Sequence, residues 1–88
     1  MSPSAIKGNR PEAWDKFLSE LDEKLQLGLL DRLERINSYH FEENVLYIEA
    51  GNPADYDYLT KDTFFQQLQL LAQDAIKVDK VVVKKAEN

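Results

Sequence analysis

The sequence predicts an α+β fold in which helices pack on one face of a three-stranded sheet. Three observations predict it. Apolar residues recur at helical spacing up to Ile36, alternate between Tyr39 and Ala50, and return to helical spacing from Phe64. Gly51-Asn52-Pro53 punctuates the chain between the second and third of these stretches. A β-branched run, Val81-Val82-Val83, follows the last helical stretch and suits a pleat better than a helix. The order is helix, helix, strand, strand, helix, strand. Each helix has one apolar stripe and the sheet one apolar face, so the layers require each other.

The elements follow in order. Residues 1–10 hold Ser, Pro, Gly and Asn with Ile6 as the sizeable aliphatic, and read as a flexible arm. Pro11 suits a first helical position, where its missing N–H costs nothing, and Glu12 and Asp15 complement the positive end of the helix dipole. Trp14, Phe17, Leu18, Leu21 and Leu25 then form a helical stripe. Gly28 either ends this helix or opens the next. Leu30, Leu33 and Ile36 step by three, with Leu27 and Leu29 beside them, which predicts a second helix over 28–36 stopped by Asn37. Tyr39 and Phe41 alternate with Ser38 and His40, and Leu46, Ile48 and Ala50 with Val45, Tyr47 and Glu49, around a turn at Glu42-Glu43-Asn44. Residues 53–60 are ambiguous: Pro53 opens a helical turn carrying Tyr56 and Leu59, and either Thr60 or Asp62 caps the long helix that follows. In that helix Phe64, Leu68, Leu71, Ala72 and Ala75 form the stripe, widened by Phe65 and Ile76. Val78 and Val81–Val83 mark the last strand. The organisation is an arm (1–10), one domain (11–85) and a tail (86–88).

Composition narrows the function classes. The chain of 88 residues is 43% hydrophobic and 31% charged, a folding composition with room for one modest core. It has no cysteine, which excludes disulfides, thiolate metal sites and a cysteine nucleophile. Apolar runs are too short to span a bilayer, and the first ten residues lack the apolar centre of a secretory signal. The net charge of −5 disfavours non-specific binding to a phosphate backbone. No phosphate-binding glycine loop, Gly-x-Ser-x-Gly elbow or His-Glu-x-x-His pair occurs. His40, the single histidine, falls on the polar phase of its strand. Asp55, Asp57 and Asp62 lack the spacing of a calcium loop. The expectation is a non-enzymatic domain with no cofactor and no metal.

Three groups of residues bear on partners. Trp14 is either an exposed docking aromatic or a cover for the core beside Phe17. Tyr56, Tyr58, Phe64 and Phe65 cluster around 53–65 and could dock a protein or stack on single-stranded bases. Residues 42–60 carry Glu42, Glu43, Glu49, Asp55 and Asp57 with no Lys or Arg, so protein contact ranks above nucleic acid there. Lys77, Lys80, Lys84 and Lys85 gather around the last strand, where they either contact nucleic acid weakly or guard a sheet edge.

Over about residues 13–85 the chain resembles the N-terminal domain of the bacterial replication initiator DnaA, whose fold is related to the K-homology (KH) domain. The carriers are Trp14, Leu18 and Leu21, then Leu30 with Leu33, the hairpin ending Leu46-Tyr47-Ile48-Glu49-Ala50, the Ala50-Gly51-Asn52 step, and Tyr58-Leu59. Two positions depart from the family. Leu30-Asp31-Arg32-Leu33 stands where it usually has Phe-x-x-Trp, and Ala54 stands where some members carry an aromatic used in helicase contact. The related domain of the clamp-loader tau subunit of DNA polymerase III shares the helix-one Trp and lacks the Phe-x-x-Trp. The resemblance implies a cytoplasmic bacterial protein-interaction domain of DNA replication. It would dock helicase, initiator regulators or polymerase, and self-associate through the first helix. The implied partner-binding residues are Trp14, Asn52, Tyr56 and Tyr58. The alternatives are a tau-type domain contacting polymerase or helicase, and a weak KH-like single-stranded DNA binder using the four lysines. The KH clamp, a Gly-x-x-Gly loop, is absent from the sequence.

Overall fold

Pro11 opens the first helix, α1 (Pro11–Glu23), with Glu12 in its first turn. Trp14, Phe17 and Leu21 bury its apolar stripe. The stripe stops one turn earlier than its sequence spacing predicts. Leu25 takes a left-handed φ of 58° and is 75% exposed. The Gln26 N–H reaches back to the Leu21 carbonyl (2.9 Å) and the Leu25 N–H to that of Asp22 (3.1 Å). This is a Schellman closure, made with leucine where glycine is usual. The structure, a computed structural model, describes residues 6–86; residues 1–5 of the expected arm and 87–88 of the expected tail lie outside the described residues.

Gly28 falls inside α2 (Leu27–Leu33), so it belongs to the second helix. That helix is shorter than 28–36, and its buried face is Leu29 and Leu33, with Leu30 half-buried and Leu27 exposed; Ile36, past its end, is also buried. The step of four from Leu29 to Leu33 follows the helical pitch, which the step of three from Leu30 does not sustain. β1 (Ser38–Glu42) and β2 (Val45–Glu49) pair antiparallel, with Glu42 opposite Val45. The turn is therefore Glu43-Asn44 alone, and both residues have positive φ, 52° and 64°. That is the I′ geometry whose twist matches the strands.

Gly51 follows β2 where the backbones of two elements touch. A Cβ on Gly51 would fall on the Arg35 carbonyl oxygen, so only glycine lets the chain leave β2 against the end of α2. The ambiguous segment is a helix of its own, α3 (Pro53–Thr60), separated by Lys61 from α4 (Asp62–Ile76). Neither Thr60 nor Asp62 caps α4. Lys61 occupies the cap position without a side-chain bond, and the Thr60 hydroxyl donates back to the Tyr56 carbonyl (2.7 Å). Leu68, Leu71, Ala72 and Ala75 are the buried face of α4; Phe64 and Phe65 are half-buried. Lys77 ends the helix at φ 61°, and β3 (Lys80–Lys84) pairs parallel with β2, Tyr47 opposite Val82.

The fold is thus α+β, α-α-β-β-α-α-β, with strand order β1-β2-β3. One sheet face, carrying Tyr39, Phe41, Leu46, Ile48 and Val81, is buried under the helices. The other carries Ser38, His40, Tyr47, Glu49 and Val82, and none of these is buried. The described part of the expected flexible arm lies along β1. The Tyr39 N–H donates to the Lys7 carbonyl (3.0 Å). The Asn9 side chain accepts from the Phe41 N–H (2.8 Å) and donates to the Phe41 carbonyl (2.9 Å). Gly8 lies so close to the Tyr39 ring that a Cβ there would overlap it. Among the described residues, no helix is long and apolar enough to cross a membrane.

Candidate docking surface

The segment from Asn52 to Thr60 is built around one buried carboxylate. Asn52 is extended and caps α3: its side-chain oxygen accepts the Asp55 N–H at 2.8 Å, and Pro53 takes the first helical position. The Asp55 side chain, 4% exposed, turns inward. There Arg35, just past α2, grips it with two parallel bonds, Nε to Oδ2 (2.7 Å) and Nη2 to Oδ1 (3.0 Å). The Asn52 amide adds a third at 3.1 Å. Paired donors of this kind suit the planar guanidinium fork. These bonds, Arg35 foremost, hold the Asp55 carboxyl below the usual carboxylate range, against the opposing cost of burial. The same partner, with Asp31 at 2.9 Å, raises the Arg35 pKa.

Arg32 approaches the same carboxylate more loosely. Its Nε is buried without a hydrogen-bond partner and lies 3.9 Å from Asp55 Oδ1. Its guanidinium covers the Tyr58 ring at 3.8 Å, and Tyr58 stacks on Phe64, 4.1 Å between centroids and 7° between planes. A Cβ on Gly28 would fall on the Tyr58 hydroxyl, so this glycine makes room for the stack. Tyr58 is therefore a link between α2, α3 and α4, held on both faces. Tyr58 is half-buried, as Tyr56 is, and the faces of its ring are what Arg32 and Phe64 cover.

Tyr56 is different. It is half-buried on the outer side of α3 and shares a shallow hollow of about 210 Å³ with Pro53, Asp57, Lys85 and Ala86. The Lys85 ammonium lies 5.6 Å from the ring centroid. Such a hollow is smaller than the roughly 300–1,000 Å³ usual for small-molecule sites.

Trp14 lies in the core, not on an exposed surface. Its side chain is 3% exposed, stacked on Tyr39 at 4.4 Å and 9°, and edge-on to Phe17 at 5.9 Å. The stripe spacing that identifies α1 also places Trp14 at its inner face, and Tyr39, on the buried phase of β1, gives it a partner. The indole N–H is buried without a hydrogen-bond acceptor. Burial likewise raises the pKa of the Tyr39 hydroxyl.

The four lysines are all exposed. Lys77 closes α4, Lys80 and Lys84 bound β3, and Lys84 lies 5.9 Å from the centroid of Tyr47. His40 stacks on Tyr47 at 4.7 Å on the open sheet face, its Nε2 3.5 Å from Glu42. Among the described residues no group of three His, Cys, Asp or Glu could hold a metal ion.

The Asp55–Arg35 link is not legible in the sequence, where Asp55 reads as negative charge and as one of three aspartates without calcium-loop spacing. The signal that could have found half of it is Asn52-Pro53-Ala54-Asp55, an N-cap residue with an acidic side chain three residues on. No family model, curated protein or solved structure matches this chain.

Proposed function

We propose that this chain is a non-catalytic protein-interaction domain of the replication-initiator type, docking partners through the outer side of α3. The resemblance to the DnaA N-terminal domain supplies the partner class: replicative helicase, initiator regulators, or polymerase in the tau-type variant. The observation that carries the reading is the anchoring of α3. A helix of eight residues is marginal alone, yet here the Asp55 carboxylate ties its first turn to Arg35 and Asn52. That anchoring holds Tyr56 in place before a partner arrives, which lowers the ordering cost of binding. Asp57 on the same turn supplies rim charge that affects partner choice and on-rate. Leu25 and Leu27, exposed at the α1–α2 turn, are the apolar residues that self-association would use in place of Trp14.

The structure separates the two tyrosines as probes. Tyr56→Ala removes the half-buried anchor, and its effect on stability is expected at about 1 kcal/mol, the common size for a point substitution. Its effect on affinity is expected at about 2 kcal/mol or more if it is the anchor. Titration calorimetry of wild type and Tyr56→Ala against purified replicative helicase and polymerase subunit reads this directly, with urea unfolding alongside. Unchanged affinity for a partner that binds the wild type would remove Tyr56 from the interface. Tyr58→Ala is the poorer probe, because it also opens the Arg32–Tyr58–Phe64 stack.

A further inference from the structure

The two outer edges of the sheet are treated differently. On β1 the outward groups of Tyr39 and Phe41 are taken by Lys7 and Asn9. On β3 the parity of the ladder is fixed by the Lys84 carbonyl, which accepts the Ala50 N–H at 2.9 Å and so faces β2. Backbone groups alternate in direction along a strand, so those of Val81 and Val83 face away from the sheet. The Val81 N–H confirms the parity, since it donates to the Gln69 side chain of α4 at 3.2 Å. Beyond Gln69 no described residue bonds to the outward N–H of Val83, although the Val83 side chain is half-buried against the core. A row of unpaired strand groups is a template for another strand.

Charge decides which strand. Alternation places Lys80 and Lys84 with Val82 on the open face of the sheet. Lys85 lies on the α3 side, beside Tyr56. Positive side chains thus flank the open edge from both faces. Acidic groups near these lysines are Asp79, which precedes Lys80, Asp57, which shares a hollow with Lys85, and Glu49, which pairs in register with Lys84 and accepts a bond from Asn37 at 3.0 Å. A second copy added along this edge would set lysines beside lysines, and like charges across strands are destabilising. An extended segment with acidic residues at alternate positions meets opposite charge instead.

We propose that the Val81–Lys85 edge of β3 is a strand-addition site for an extended acidic peptide segment of a partner, adjoining the α3 surface at Lys85. Main-chain bonds at Val83 supply affinity, and Lys80, Lys84 and Lys85 supply the preference for acidic side chains. A short peptide of alternating valine and glutamate is the probe, titrated into the 15N-labelled chain at low salt. The expected result is shifts confined to Val81–Lys85 and slowed amide exchange at Val83. The valine–lysine counterpart is expected not to bind. The double variant Lys80→Glu with Lys84→Glu should weaken binding by about tenfold or more. Val83→Pro should abolish it while leaving the β2 ladder, because an edge proline whose N–H faced solvent is tolerated. Wild-type spectra away from β3 in each variant confirm folding. No binding at low salt, equal binding of both peptides, or shifts elsewhere would overturn the proposal. So would single-stranded DNA shifting the lysines more strongly than the peptide with Val83 exchange unchanged, which would assign these lysines to phosphate.

Discussion

Trp14→Ala lowers the stability of the domain by about 3–5 kcal/mol, the cost of emptying a large aromatic site in a core. The ring is almost wholly buried, and it stacks on Tyr39 while Phe17 meets it edge-on. Small domains have about 5–15 kcal/mol in all, so this one change uses a large part of the margin. Trp14→Phe keeps much of the stack and discards an indole N–H that has no acceptor, so it should be far milder. Urea unfolding followed by circular dichroism ranks the three proteins. A midpoint for Trp14→Ala equal to wild type would return Trp14 to the surface.

Asp55→Asn is the second large effect, and it depends on pH. The folded-state pKa of Asp55 is depressed, first by its bonds from Arg35. A depressed carboxylate stabilises the fold fully above the ordinary carboxylate pKa of about 4, and that stabilisation is lost as pH falls through the folded value. The variant cannot carry the charge, so the gap between wild type and Asp55→Asn should be wide at neutral pH and narrow steadily below about pH 4. At neutral pH the loss should exceed that of Asn52→Ala, a lost cap costing about 1 kcal/mol. Asn52→Ala removes one of the three bonds to the carboxylate, whereas Asp55→Asn leaves the partly buried Arg32 and the bidentate Arg35 without their anion. Urea midpoints across pH check this; a gap that stays constant would mean the carboxylate charge does not hold α3.

Much of the fold was legible because burial leaves a period in the sequence. The alternation of Tyr39, Phe41, Leu46 and Ile48 is the buried face of the hairpin, and Trp14, Phe17 and Leu21 are the buried face of α1. The failures lie where period gives no direction. Leu25 continues the spacing of α1, but the chain reverses through a left-handed residue there. α3 stayed ambiguous because its eight residues hold too few apolar positions to show a period; Leu59 is its one fully buried aliphatic. Its anchor is a contact between residues 20 apart in the chain, and no local pattern announces that Arg35 meets Asp55. The candidate docking residues are legible as types and not as exposures. Trp14, Tyr56 and Tyr58 look alike as aromatics, and packing puts the first in the core and leaves the other two half-buried, Tyr58 as a link between helices.

The most direct test of the central claim is to map a replication partner onto the 15N-labelled chain. Purified replicative helicase, or the polymerase subunit, is titrated in and amide perturbations are read residue by residue. The account predicts that they cluster on Asn52, Tyr56 and Asp57, with the Trp14 indole N–H unchanged. Perturbations centred on the Trp14 side of α1, or none with any of these partners, would contradict it.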